Sequence, residues 1–280
     1  MTALAVTAAT LHLPGPAPDG IPVEPAQEAK EVLGRKGLLG KEPATRLALC
    51  AVHRALGRPL AAPRPQGPAD PDTAVIVCSN LGNVGTVSEI ARQVESDGVR
   101  AVSPMDAPNA SSNVIASAIA IWFRFGGPNV TLCSGATAGL DAVWLAGLLL
   151  RARRARKVLL VGVEPDDPDA ARLHRRRAGA TPGVPLRAGA ACLLVEPADA
   201  VSHPLAVLDP PTAPANAAPV IETPGASIDP LARIGDTYGA AGLVYAAVAI
   251  ALVGPHGTAR VVCGDPVDGW RELQVHGGAG

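Results

Sequence analysis

Short apolar runs rich in β-branched residues alternate with apolar helical stretches, and this alternation restricts the chain to a layered α/β fold. The runs are Thr73–Cys78 (TAVIVC), Asn129–Cys133 (NVTLC), Lys157–Val163 (KVLLVGV), Ala191–Val195 (ACLLV) and Ala259–Cys263 (ARVVC), the last strand expected. Nearly unbroken apolar runs of this length fit strands buried on both faces. Helices are expected over Glu42–Leu56, Thr86–Val94, Asn113–Phe125, Thr137–Ala152 and Tyr238–Val253, with weaker strands at Leu4–Leu13 and Leu205–Leu208. Gln27–Leu38 reads as a short helix or a loop. The first long helix stops at Gly57-Arg58-Pro59, and Pro63–Pro71 is a proline-rich connector. A distant pseudo-repeat pairs the strand–helix unit Val130–Ala152 with the helix–strand unit Tyr238–Cys263.

Composition narrows the function classes. Of 280 residues 48% are hydrophobic but 2% aromatic, so the core is built from Ala, Val, Leu and Ile. A formal charge of −1 and few rings argue against nucleic acid as a partner. The mean hydropathy of +0.24 argues against disorder. The N-terminus has no basic stretch of the kind that opens a signal peptide. The longest apolar runs, Asn113–Phe123 and Leu243–Val253, are shorter than the roughly 20 residues of a membrane span. Cys50, Cys78, Cys133, Cys192 and Cys263 form no C-x-x-C, and the histidines show no ligand spacing. No metal and no cofactor are expected, and the odd thiol count fits a reduced, cytoplasmic setting.

Asn129–Leu140 (NVTLCSGATAGL) is the most informative stretch. A buried strand turns through small residues into a long helix, which places the turn where backbone N–H groups and the helix dipole stabilise an anion. Such an elbow lowers a thiol's pKa or aims a hydroxyl. Small residues there also simply let a helix pack close to a sheet, and both readings stand at this point.

Ser103-Pro104, Pro108, Asn113 and Phe125-Gly126-Gly127-Pro128-Asn129-Val130-Thr131 resemble the β-ketoacyl-ACP synthases. Val75–Gly85, Lys157–Glu164, Pro185–Glu196 and Gly235-Asp236-Thr237-Tyr238-Gly239-Ala240-Ala241-Gly242 resemble that family's further motifs in their order, from about residue 42 to 275. The resemblance implies a thiolase-like layered αβαβα fold, shortened relative to a full ketosynthase. It implies one domain over 1–280: an N-terminal strand and loop region (1–41), a half with a degenerate nucleophile elbow (42–200) and a shortened C-terminal half (201–280).

Where the family has its catalytic Cys the resemblance places Ala136, and where it has a catalytic His, Asp236. The second catalytic His loop has no counterpart between Val201 and Ile228, where His203 reads as a surface residue. Condensation needs a thiolate and two imidazoles, so a stand-alone condensing enzyme is excluded on that alignment. Cys133 is expected to be a small buried residue at the strand end.

The resemblance points instead to a non-catalytic chain length factor. It would pair with an active ketosynthase in type II polyketide (polyene) biosynthesis, with an acyl carrier protein and the growing polyketide chain as further partners. On that reading Val130, Thr131, Leu132 and Cys133 form an interface strand with an unpaired edge. Ala110, Ser111 and Ser112 stand at a chain gate, Ile115, Ala116 and Ile119 form an apolar wall, and Trp122 or Phe123 closes it; these side chains equally suit plain interface packing. His174–Arg177 reads as a loop, and Arg175, Arg176 and Arg177 either greet an acidic carrier protein or are merely solvated. The basic run Arg151–Lys157, at the end of the central helix, reads the same two ways. The enzymatic alternative is a repurposed acyltransferase or hydrolase using Cys133, Ser134 or Thr137. A purely structural stabiliser of the ketosynthase differs only in lending no tunnel wall.

Overall fold

The side chains of each central strand alternate between two different cores, which is what an unbroken apolar run needs. In a computed structural model, which describes residues 2–21, 23, 27–104 and 106–278, the strand β2 (Thr73–Cys78) sends Ala74, Ile76 and Cys78 to one core and Val75 and Val77 to the other. In β4 (Lys157–Glu164), Val158 and Leu160 face the first core, while Leu159, Val161 and Val163 face the second. In β5 (Gly189–Pro197), Ala191, Leu193 and Val195 are set against Ala190 and Cys192.

The other strands are β1 (Leu4–His12), β3 (Asn129–Leu132), β6 (Ala206–Leu208), β7 (Val220–Thr223), β8 (Ala226–Ile228), β9 (Thr258–Asp265) and β10 (Gly269–Gly277). Together they form a ten-stranded mixed sheet in the order β3-β2-β4-β5-β1-β6-β10-β9-β7-β8. β3, β2 and β4 are parallel, and every later pairing is antiparallel. β3 therefore lies at one end of the sheet with one side unpaired, as the sequence suggested.

Two helices fill the middle of the molecule. α5 (Ala138–Arg151) and α8 (Ala241–Leu252) pack against β1, β2, β4 and β5 and also against β6, β7, β9 and β10, within one core. Every residue of α8 from Ala241 to Ala249 is buried, the mark of a helix enclosed on all sides. The helices meet at Gly139 and Gly242, where a Cβ on Gly139 would lie 2.7 Å from the Leu243 nitrogen. A single 3-10 turn precedes each helix, Gly135–Thr137 and Tyr238–Ala240, and the two turns touch. The expected pseudo-repeat is thus visible as two turn–helix units in contact.

The second core lies outside β2, β4 and β5, under α1 (Ala29–Leu33), α2 (Pro43–Ala55) and α4 (Val114–Phe123). The outer face of β9 and β10 is polar instead: Arg260 reaches Glu272 at 2.8 Å and Glu222 of β7 at 3.2 Å.

Three further elements depart from expectation. α6 (Pro168–Arg176) takes in His174, Arg175 and Arg176, read as part of a loop, and is capped by Asp167, whose side chain accepts the Asp169 and Ala170 N–H groups. Ala259–Cys263 is not the last strand, since β10 follows it. α3 (Val84–Asp97) is longer than expected and buries none of its residues. The short helix α7 (Pro230–Arg233) follows β8. Among the described residues no helix is long and apolar enough to cross a membrane.

Candidate functional site

The elbow forms at the free end of the sheet. β3 gives way at Cys133 and Ser134 to the Gly135–Thr137 turn, which leads straight into α5. Gly135 has φ +71°, a left-handed conformation that glycine adopts without a Cβ penalty. Asn80 clamps it from both directions: the Gly135 N–H donates to Asn80 Oδ1 (3.1 Å) and Asn80 Nδ2 donates to the Gly135 carbonyl (3.0 Å).

Glu164, at the end of β4, holds Asn80 in turn. Its carboxyl accepts the Asn80 N–H at 2.7 Å, the Leu81 N–H at 3.0 Å and the Ser79 hydroxyl at 3.1 Å. Complete burial pushes the Glu164 pKa up to about 7, against the pull of these donors.

Ala136 occupies the turn itself and is buried, its backbone N–H donating to Asp268 Oδ2 at 2.9 Å. Asp236 stands close by, also buried, with one oxygen 2.8 Å from His174 Nε2 and the other accepting the Tyr238 N–H at 2.8 Å. His174 Nδ1 is buried without a hydrogen-bond partner among the described residues. Arg177 stacks on Tyr238, 3.9 Å from its ring centre, and pairs with Asp265 and Asp268. Burial pushes the Tyr238 pKa up to about 12, opposed by Arg177. Asp265 is desolvated too, yet its Arg177 and backbone hydrogen bonds hold it below the usual carboxylate range.

The cavity these groups enclose is about 90 Å³, lined by Ala136, Arg177, Asp236, Tyr238, Asp265 and Trp270 among others. A small-molecule pocket typically needs about 300 Å³ or more. The elbow cavity therefore has room for water but none for an acyl chain. A larger groove, about 810 Å³, runs beside α1 and α2 and includes none of the residues the sequence singled out.

The remaining expected site residues divide. Val130, Thr131 and Leu132 lie on the free edge, and Thr131 Oγ1 donates to Asn113 Oδ1 at 2.8 Å. Ala110, Ser111 and Ser112 are exposed. Cys133 is exposed rather than buried, because β3 has no neighbour on that side. Ile115, Ala116, Ile119, Trp122 and Phe123 lie in the chain's second core, and Arg64 stacks over Trp122 at 3.6 Å. The helical period puts Ile121, 74% exposed, on the open side of α4 instead. Arg175 and Arg176 are exposed on α6, whereas Arg177 is folded inward and committed to Asp265 and Asp268.

The alternative nucleophiles are each tied to a neighbouring group. Partial desolvation of its sulfur, which donates to the Ser79 carbonyl at 3.1 Å, and then the Glu164 charge raise the Cys133 pKa. Ser134 Oγ (2.7 Å) and Thr137 Oγ1 (2.8 Å) both lie against Asp141 Oδ2, and Asp141 is ion-paired to Arg271 at 3.0 Å. One feature went unnoticed in the sequence: Trp144 of α5, 46% exposed, beside an open groove of about 610 Å³ with Leu132, Leu145, Pro211 and Arg271. Its position one helical face away from buried Val143 and Ala146 was the available signal.

Residues 35–188 match the model of the β-ketoacyl synthase N-terminal domain. No curated protein matches the chain. Among solved structures, the ishigamide ketosynthase/chain length factor aligns over 100% of both chains with TM-score 0.75 and 22% identity. The AntDE:AntF assembly, a type II PKS acyl-carrier protein in complex with its ketosynthase, aligns over 100% of both chains with TM-score 0.70 and 13% identity. The ketosynthase from module 6 of the bacillaene synthase of Bacillus subtilis 168 aligns over 99% of this chain and 72% of its own, with TM-score 0.65 and 12% identity. The elbow at the end of β3, the turn–helix pair at the centre of the sheet and the family model over more than half the sequence agree: this chain belongs to the β-ketoacyl synthase family.

Proposed function

We propose that the chain is a non-catalytic, cytoplasmic chain length factor that pairs with an active ketosynthase subunit in type II polyketide (polyene) biosynthesis and helps shape the tunnel for the growing acyl chain. The observation that carries this reading is the elbow, a strand–turn–helix at a free sheet edge with alanine at the turn. Ala136 has no lone pair to attack a thioester. Asp236 is an acceptor committed to His174, so neither thiolate nor free imidazole serves the turn. β3 beside it offers unpaired backbone groups to a second subunit, and Trp144 lies alongside as a large exposed anchor. Arg175 and Arg176, both exposed, suit an acidic carrier protein docked on the complex.

Mixing the purified chain with its ketosynthase is expected to give a stable one-to-one complex on gel filtration. An active assembly of this chain alone, or an acyl group trapped covalently on it, overturns the proposal. Trp144→Glu is expected to weaken the complex at least about tenfold, the scale of an interface hot spot, while leaving the circular dichroism of the free chain unchanged. Since the elbow cavity is small, the tunnel must be completed where the subunits meet, beside Ser111 and Ser112. Ser111→Phe in the complex is expected to shorten the products, read by mass spectrometry; products of unchanged length remove the tunnel role and leave only a stabilising one.

A further inference from the structure

The elbow already holds an anion, and the chain supplies it. Asp268, in the tight connection between β9 and β10, places Oδ2 2.9 Å from the Ala136 nitrogen and 3.2 Å from Arg177 Nη1. Asp265 fixes that connection from within: its Oδ1 accepts the Val267 N–H at 2.8 Å and the Asp268 N–H at 2.7 Å, and its other oxygen pairs with Arg177. Arg177 is braced in turn against the Tyr238 ring. Glycines make the room. A Cβ at Gly135 would run into the Asp268 carboxylate, and one at Gly179 would lie 2.5 Å from Asp265.

We infer that Asp268 is a resident carboxylate occupying the anion-stabilising turn before α5, held there by Arg177, so that the elbow is closed to any incoming thiolate or oxyanion. The missing nucleophile is then not the only bar to chemistry. The N–H at position 136, which an elbow normally turns toward a developing negative charge, is satisfied by the chain itself. The same contact pins the β9–β10 connection to the start of α5, a fixed strut where a reacting centre would otherwise be. Restoring a cysteine at position 136 leaves the site inert, because the new thiol shares its N–H donor with a neighbouring carboxylate that opposes thiolate formation.

The test uses the full chain carrying Cys133→Ser, which removes the exposed thiol; the remaining four cysteines are buried. In that background Ala136→Cys is compared with Ala136→Cys plus Asp268→Asn, following alkylation by iodoacetamide across pH. The double change is expected to move the midpoint of the rate profile down by at least about one pH unit, about tenfold in thiolate at neutral pH. Asp236, Asp265, Arg177, Tyr238 and Tyr245, the other ionisable groups around the cavity, are common to both proteins. A change of access alone scales the rate at every pH without moving the midpoint; that result, or equal rates, overturns the inference. If either variant fails to fold, hydrogen exchange at the Ala136 amide in the unaltered chain decides: protection is expected, and free exchange overturns it.

Discussion

Gly139→Val is expected to leave little folded protein. A Cβ at this position would sit 2.7 Å from the Leu243 nitrogen and 2.8 Å from the Gly242 Cα, so it meets backbone and has no flexible side chain to push aside. Both helices are sandwiched between the two halves of the sheet and cannot separate without opening the larger core. Overpacking a rigid site costs about 3 kcal/mol and, against backbone, more, a large share of the roughly 5–15 kcal/mol that holds a domain together. The same helix provides the contrast. Gly147 has nothing within 4 Å of its Cβ position, and Gly147→Ala should stabilise the chain by about 0.5–1 kcal/mol through backbone entropy alone. Chemical denaturation of both variants checks the pair, and a Gly139→Val chain as stable as the parent refutes the close helix contact.

Acidity is the second lever. Glu164 keeps its proton in the folded chain up to about pH 7, whereas in the unfolded chain it loses it near 4.5. A pKa raised by folding adds stability that is full below the unfolded value and disappears as pH climbs through the folded one. Stability from this carboxyl should therefore fall by about 3 kcal/mol between pH 4.5 and 7. Glu164→Gln removes that slope. It also lowers stability at all pH by about 1–3 kcal/mol, because its amide NH₂ faces backbone donors. His12 works in the opposite sense: burial first and then Arg54 lower its pKa to about 4, so its contribution grows as pH rises from there. Denaturant midpoints for parent and Glu164→Gln, subtracted at each pH, cancel His12 and leave Glu164. A difference that stays flat across this range contradicts the buried carboxyl described.

The elements legible in the sequence were those with one dominant signal. TAVIVC could only be a strand buried on both sides, and β2 spans Thr73–Cys78 as read. The elbow was legible because a β-branched run, small turn residues and an apolar helix followed one another without interruption. α6 was hidden by its charges: His174–Arg177 reads as a loop, although Asp167 followed by Pro168 is a cap and a first helical residue. β10 was hidden by its one wet face, for only Leu273 and Val275 are buried among Glu272, Gln274 and His276. The site was less legible than the fold. His174, Arg177, Asp265 and Asp268 reach the elbow from distant parts of the chain, and no local spacing announces that meeting. Nor could helical periodicity tell which face of α4 turns inward until α2 was in place; that arrangement assigned Ile115 and Ile119 to the chain's own interior.

The two ends of the sheet are finished differently, and this limits how many copies of anything can assemble. β3 ends the sheet as a row of open backbone groups beside a tryptophan. β8 ends it as three residues, Ala226–Ile228, folded back from the turn at Gly225 and too short to template another strand. A subunit with one adhesive end and one blunt end can be added to once. Any association through β3 is thus self-terminating.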